Sequence, residues 1–450
     1  MSAPLYIVHA IDTEGPLHES LEATFERVEK ITGVRLEPSR ATLKQIQNGE
    51  LDLGGKEKVA AKAFSKTLLH YNDTWDKLDA MLFDIMSEDY RQRYADSQGN
   101  GWIYSWFVVD HVGYTDNPRR RDIGYHNIFD HYRSLMRETN SPQDDLQFHF
   151  HPMPTYREAH ICATSYLRSP HLWETLARRI IDRTWFPSTF RPGFHAERPD
   201  AHWFLEQWLP FDYANQAMSE DAQLGHNDVA AGRLGDWRRA PQDWSHYQPH
   251  HDDYQTPGNC RRTIFRCLNV GTRFRLLDEA EVRKAFARSQ SGEPTILAFT
   301  NHDFRDMRPD VESTHALIRK VAEDFPNVPW HHSRAKDAAQ KVLRRTDASK
   351  FELTVTLTPR GERLVLDIRA NHDSFGPQPF LAIKTKDKRY LTDNLDLQTL
   401  RRHWTYVFDA DTVLPDSLDA VGVASNDLNG HTHVVTLRPD GSLLDEAYYG

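Results

Sequence analysis

The feature that most constrains the fold is a recurrence. Short apolar runs rich in β-branched and aromatic residues return over about the first 340 residues, with helical patterns between them. The runs are Leu5–Ala10, Trp102–Val109, Leu146–His151, Pro187–Pro192, Phe211–Asn215, Thr263–Leu268, Thr295–Thr300 and Val328–His331. Between them, stretches such as Leu172–Ile181, Glu279–Ala287 and Thr314–Phe325 carry apolar residues at helical spacing. Strand alternating with helix predicts an α/β fold, a sheet or (β/α) barrel of about seven or eight parallel strands. Enzymes built this way keep their reacting groups at the C-terminal ends of the strands.

Two regions leave this rhythm. Residues 17 to about 100 read as a helical insertion, including one helix over Trp75–Tyr94 with Leu78, Met81, Leu82 and Met86 near helical spacing. From Phe351 the chain alternates, as in FELTVTLTPRGERLVLDIRA, around a Pro-Arg-Gly turn. Similar runs continue to the end and predict an all-β, sandwich-like module over 350–450, joined to a domain over 1–345 by a linker near Arg344–Ser349.

Composition removes several function classes. Lys and Arg number 55 against 65 Asp and Glu, a net charge of −10, whereas a nucleic-acid surface needs clustered cations. The runs Arg119-Arg120-Arg121 and Arg344-Arg345 are short enough to be solvated faces. No apolar run approaches the roughly 20 residues that span a bilayer, and no basic segment precedes an apolar signal core. The expectation is a cytoplasmic protein with neither nucleic-acid nor membrane partners; its oligomeric state stays open. Three cysteines (Cys162, Cys260, Cys267) without paired spacing predict neither a disulfide framework nor a thiolate zinc site.

Polar residues gather where the apolar runs stop. Asp12 and Glu14 follow the first, Asp110 and His111 the second, His149 and His151 the third, Arg191 the fourth, Asp212 the fifth, and His302 with Asp303 the seventh. In a strand, residues i and i+2 share a face, so Asp12 and Glu14 point the same way, two like charges that repel unless a cation or a proton lies between them. His149 and His151 alternate with Phe148 and Phe150. Two imidazoles about 6–7 Å apart in Cα can share a metal at roughly 2.0–2.1 Å from each nitrogen. A carboxylate from Asp12 or Glu14 would complete three ligands with one open position, the arrangement of catalytic zinc. The bland alternative is one buried, hydrogen-bonded histidine and one surface histidine.

An Asp-x-Glu strand end, a His pair about 135 residues later, an Arg-Pro-Gly turn and a late strand ending in TNHDF together resemble the polysaccharide deacetylase superfamily (carbohydrate esterase family four). The resemblance covers roughly residues 4–340. It implies a distorted (β/α) barrel and one divalent metal per chain, most often zinc, held by a carboxylate and two histidines. Carried over by motif, Asp12 is the base, Glu14, His149 and His151 are the metal ligands, Arg191 in FRPG orients the catalytic acid, and His302 is the general acid. Here Thr13 separates the two acids and the second is Glu, so the base and ligand roles of Asp12 and Glu14 stay interchangeable; Met153 stands where the family's second histidine falls, so the second histidine ligand is transferred to His151. Asp110, His195 and either Trp237 or Trp244 are candidates for the substrate wall. His195 could instead begin a helix, and 244–254 could form a lid.

Three readings follow: a metal-dependent hydrolase that de-N-acetylates a sugar or glycan, a hydrolase of small or cyclic amides, and a catalytically degenerate barrel that binds carbohydrate or protein.

Overall fold

The computed structural model describes residues 2–114, 123–152, 165–218, 235–272, 274–347 and 349–450. Cys162, Met153 and Arg119-Arg120-Arg121 lie outside the described residues.

The recurrent apolar runs are strands: β1 (Leu5–Thr13), β2 (Tyr104–Val108), β3 (Asp145–Phe150), β4 (Thr189–Pro192) and β5 (Phe211–Asn215), then the short antiparallel pair β6 (Pro249–His250) and β7 (Asp253–Pro257), then β8 (Thr263–Asn269), β9 (Thr295–His302) and β10 (Trp330–His332). One sheet orders them β10-β1-β2-β3-β4-β5-β8-β9, and β9 pairs back with β1. The expected α/β barrel is therefore present, a closed parallel ring of seven strands with β10 beside it. The distortion is local. Along β1, Leu5–Ile7 pair with β10 while His9–Thr13 pair with β2. Nearly every residue of β1, β2, β4, β5, β8 and β9 is buried, which is why these strands read as apolar runs rather than alternations.

The chain packs as two compact units, the first formed by 2–145 and 267–334 and the second by 146–152, 165–266 and 335–450 of the described residues. In the first, the insertion supplies α1 (Leu21–Thr32), α2 (Arg40–Asn48), α3 (Glu57–Ala63), α4 (Trp75–Ile85) and α5 (Glu88–Arg93), and α6 (Asn127–Glu138) follows β2. Helices α1 to α3 build a small core from Phe25, Val28, Ile46, Leu53 and Phe64. The single helix expected over Trp75–Tyr94 is two, because Ser87 breaks it. Its backbone is extended, its side chain accepts from Tyr90 N as a cap, and its hydroxyl donates to Asp84 O. The buried Arg91 of α5 then reaches Asp144 with both terminal nitrogens (2.8 and 2.6 Å), while Asp144 also accepts from Tyr104 N and Trp106 Nε1. A planar fork on a carboxylate that is otherwise saturated is how a buried charge pair is made tolerable.

In the second unit, α7 (Pro170–Arg183) and α8 (Pro199–Trp208) precede β5. The C-terminal module is all β: β11 (Leu353–Arg360), β12 (Arg363–Ala370), β16 (His403–Phe408) and β15 (Asp396–Thr399) form one antiparallel sheet. A second holds β14 (Tyr390–Asp393), β13 (Phe380–Thr385), β17 (Leu418–Asn426), β18 (Thr432–Leu437) and β19 (Leu443–Tyr449). Within the expected Pro-Arg-Gly turn the reversal falls at Gly361, since Arg360 pairs with Arg363 and Gly361 takes a positive φ, 63°. Trp404 and Tyr406 are buried in this module's core. The module is bonded to α7 by Asp182, which accepts from Lys384 Nζ (3.1 Å) and Tyr390 Oη (2.8 Å). Asn426 Nδ2 donates to the carbonyls of Pro187 and Trp208, both at 2.8 Å. Among the described residues no helix is long and apolar enough to cross a membrane.

One barrel histidine makes the fold pH-sensitive. His9 is buried, stacks on Phe299 at 4.7 Å, accepts from Trp102 Nε1 at Nδ1 (3.1 Å) and donates from Nε2 to Asn301 Oδ1 (2.9 Å). Charging it would set N–H against N–H at Trp102, and burial brings its pKa down to about 3. Between pH 6.5 and 3 the unfolded chain therefore binds a proton that the folded chain does not, and stability falls as pH falls, by about 1.4 kcal/mol per pH unit for this group. Urea unfolding at pH 7, 5.5 and 4.5 should show a slope of which His9 supplies that share, beside His202 and His332, which burial also lowers, and His9→Gln should remove about 1.4 kcal/mol per pH unit of it. An unchanged slope in the variant would mean that His9 is not the group responsible.

Candidate functional site

The acid pair sits at the end of β1, where Asp12 is the Cα partner of both Phe107 and His302. Both carboxylates are buried, at 2% and 3% exposure. What ends the strand is Asp303. Its Oδ1 accepts from Glu14 N (2.8 Å), and its Oδ2 accepts from Gly15 N (2.9 Å) and from the Tyr132 hydroxyl (2.8 Å). Gly15 has φ 72°, the left-handed conformation that turns the chain so both amides face one carboxyl. Burial, with the neighbouring Glu14 carboxylate adding to it, raises the Asp303 pKa to about 7 against the pull of those hydrogen bonds.

Two imidazoles flank the acids. His302 Nε2 lies 3.6 Å from Glu14 Oε1 and 3.9 Å from Asp12 Oδ2, and His111 Nε2 lies 3.9 Å from Glu14 Oε2. These separations exceed hydrogen-bond length. His111 and Asp303 stand at strand ends in the sequence without an assigned role, and nothing in the sequence marks Tyr132. Asp110, a candidate for substrate contact, accepts from His126 N at 3.1 Å and so holds the lead-in to α6.

The other unit carries the imidazole pair. His149 is buried on β3, opposite Arg191 on β4 in the parallel register. Its Nδ1 lies 2.9 Å from the Arg191 carbonyl oxygen, which can only accept, so Nδ1 carries the proton and Nε2 keeps its lone pair. That Nε2 is 3.0 Å from His151 Nε2. Phe148 and Phe150 stack on the opposite face at 6.1 Å, as the alternation predicts. The Arg191 guanidinium is fully buried, donates to Tyr213 O (2.7 Å) and approaches His195 Nδ1 (3.4 Å).

His195 starts no α-helix. It ends the tight turn Gly193–His195, in which Phe194 (φ 55°) and His195 (φ 51°) are both left-handed, a strain of about 1–3 kcal/mol each. Trp237 is wholly buried with Tyr247 and Tyr254, and its Nε1 donates to His195 O at 2.9 Å. Trp244 is buried beneath the Arg266 guanidinium, 4.6 Å from the ring centre. Trp237 thus supports the turn from within the unit.

Among the described residues, two donor groups have the composition to hold a metal ion: Glu14 with His149 and His151, and His202 with Glu206 and Cys260, the second with its ligand atoms within 4.8 Å of one another. Proton positions separate them. A histidine ligand needs a bare nitrogen and usually donates its other N–H to a carbonyl or carboxylate, which is the state of His149. His202 is reversed. Arg262 Nη1, which can only donate, is 2.6 Å from its Nδ1, so the proton sits on Nε2 and points at Cys260 Sγ, 3.4 Å away. Burial and that guanidinium bring His202 down to about 3, and burial with Glu206 pushes the Cys260 thiol up to about 11. This cluster is an N–H···S contact on a buried arginine network, and its donors do not suit a metal. Cys260 lies between β7 and β8 and meets His202 of α8.

No protein-family model, curated protein or solved structure matches this chain.

The expected stoichiometry is about one divalent ion per chain in tag-free protein incubated with zinc and desalted. His149→Ala/His151→Ala should lose it, and His202→Ala/Cys260→Ala should keep it. Elemental analysis of the three folded proteins checks this, and the opposite pattern would reverse the assignment of the two groups.

Proposed function

We propose that this chain is a metal-dependent hydrolase of amide bonds, acting by de-N-acetylation of a sugar or glycan. The observation that carries the reading is the His149 imidazole, buried, locked with its proton on Nδ1 and its Nε2 lone pair directed toward His151. An alternation of Phe and His could arise in any core; a fixed tautomer with a bare nitrogen beside a second imidazole is what a metal site requires. The resemblance to polysaccharide deacetylases supplies the substrate class and the third ligand, Glu14, and the donor composition agrees with it. Zinc suits a carboxylate with two imidazoles.

The roles follow from the chemistry of each group. A divalent cation, when bound, lowers the pKa of a water from about 15.7 toward 7 and polarises an amide carbonyl. Asp12, beside Glu14 at the same strand end, takes the proton of the attacking water. His302 faces both acids and gives a proton to the departing amine, a task suited to a group whose ordinary pKa is about 6.5. Water is added across the C–N bond, and acetate and a free amine leave. Arg191 holds the β4 end and the turn beyond it, and its carbonyl fixes His149.

Acetate release from N-acetylated sugars and oligosaccharides tests the reading. Asp12→Asn should lower turnover by about 10²–10⁴ while metal content stays at the wild-type level. Turnover unchanged in Asp12→Asn removes that residue as base. Activity confined to small or cyclic amides keeps the hydrolase and replaces the substrate class, and inactivity of a zinc-loaded wild type on both sets moves the weight to a binding protein.

A further inference from the structure

We propose that Gly193 is a positioning residue for the metal-binding imidazole of His151, an inference that rests on His151 being a ligand. A Cβ at Gly193 would lie 2.5 Å from both Cγ and Cδ2 of His151 and 2.9 Å from its Nε2. Real side chains do not approach so closely, and the atoms met are those of an aromatic ring, which cannot bend away. Gly193 is absent from the positive-φ residues, so its backbone would accept an alanine; the ring is what excludes the methyl group.

The same ring is confined elsewhere. Phe194 meets it edge-on at 5.0 Å, and His149 Nε2 faces its Nε2 at 3.0 Å. The turn that carries Gly193 and Phe194 is held from several directions. Gly235 N donates to Phe194 O (3.2 Å), Trp237 Nε1 to His195 O (2.9 Å), and the Tyr166 hydroxyl to Ala196 O (3.2 Å). Glu197, just beyond, is bound by the buried Arg262 at 2.8 Å. A strained pair of left-handed residues persists only when its surroundings over-determine it, and here they do. The turn is a braced wall, and at Gly193 the room a side chain would need is taken by the His151 ring.

Glycine at 193 therefore sets the ring plane of His151 and, through it, where a divalent cation is shared with His149. Changes to groups that orient a ligand typically weaken metal binding 10–100-fold. The experiment is a Co²⁺ titration of the whole chain, followed by visible absorption and by equilibrium dialysis, on wild type, Gly193→Ala and Gly422→Ala. The last is a steric control, because a Cβ at Gly422 would lie 2.5 Å from Ile180 Cγ2 in the module's packing against α7. Gly193→Ala should bind Co²⁺ at least tenfold more weakly and with an altered absorption band. Gly422→Ala should melt at a lower temperature and bind Co²⁺ as wild type does. Equal Co²⁺ affinity and spectrum in wild type and Gly193→Ala overturns the inference and leaves the metal reading standing. No Co²⁺ bound by wild type overturns the metal reading itself. A second arm needs no metal: Gly193→Ala should lower the melting temperature in the wild-type background and not in His151→Ala. Equal losses in both backgrounds would show that the glycine serves something other than the ring.

Discussion

The hydrogen bond from His149 Nδ1 to the Arg191 carbonyl joins the fold to the chemistry proposed for it. A neutral hydrogen bond adds only about 0.5–1.5 kcal/mol to stability, so its importance lies elsewhere. It exists because β3 and β4 pair in parallel with His149 opposite Arg191, a register set by the buried Phe148 and Phe190 beside them. Slip that register by one residue and every side chain of β3 changes face. The imidazole would lose its acceptor and its defined tautomer together. Register, set by apolar packing, thereby becomes a statement about which nitrogen is bare.

The acid pair is governed by a similar economy. Asp303 accepts from two consecutive amides and a tyrosine hydroxyl, so the end of β1 is turned and anchored by a single carboxyl. A fully ionised third acid this close to Glu14 would add repulsion to a crowded strand end, and burial lifts its pKa instead. The result is a carboxyl whose pKa is raised by burial, anchoring the backbone of one whose oxygens face His111 and His302. Gly15 is needed at this strand end because both its amide and that of Glu14 must reach Asp303.

Much of this was legible in the sequence. Buried parallel strands announce themselves as apolar runs, and the alternation of His149 and His151 with two phenylalanines places both imidazoles on one face. What escaped was carried by single polar groups acting at a distance. Ser87 splits a helix whose apolar spacing continues across the break. Tyr132 and Asp303 meet across 171 positions. In the sequence Trp237 is a candidate for the substrate wall alongside Trp244; its full burial and its hydrogen bond to the strained turn put it in the core. Gly193 belongs to a motif visible from the start, yet the reason for it is the room left for a ring 42 positions earlier.

The two donor clusters show why residue identity is an incomplete guide to a metal site. His202, Glu206 and Cys260 include a softer ligand than anything in the first group and lie on adjoining elements. Yet Arg262 converts that histidine from a prospective ligand into a donor by occupying Nδ1. The same guanidinium binds Glu197, Glu206 and Asp212, so moving it to free the imidazole would strand buried carboxylates. At His149 the neighbour is a carbonyl, which can only accept. A guanidinium in one case and a carbonyl in the other assign the proton to opposite nitrogens, and that difference of one hydrogen separates a structural cluster from the group proposed to take a cation.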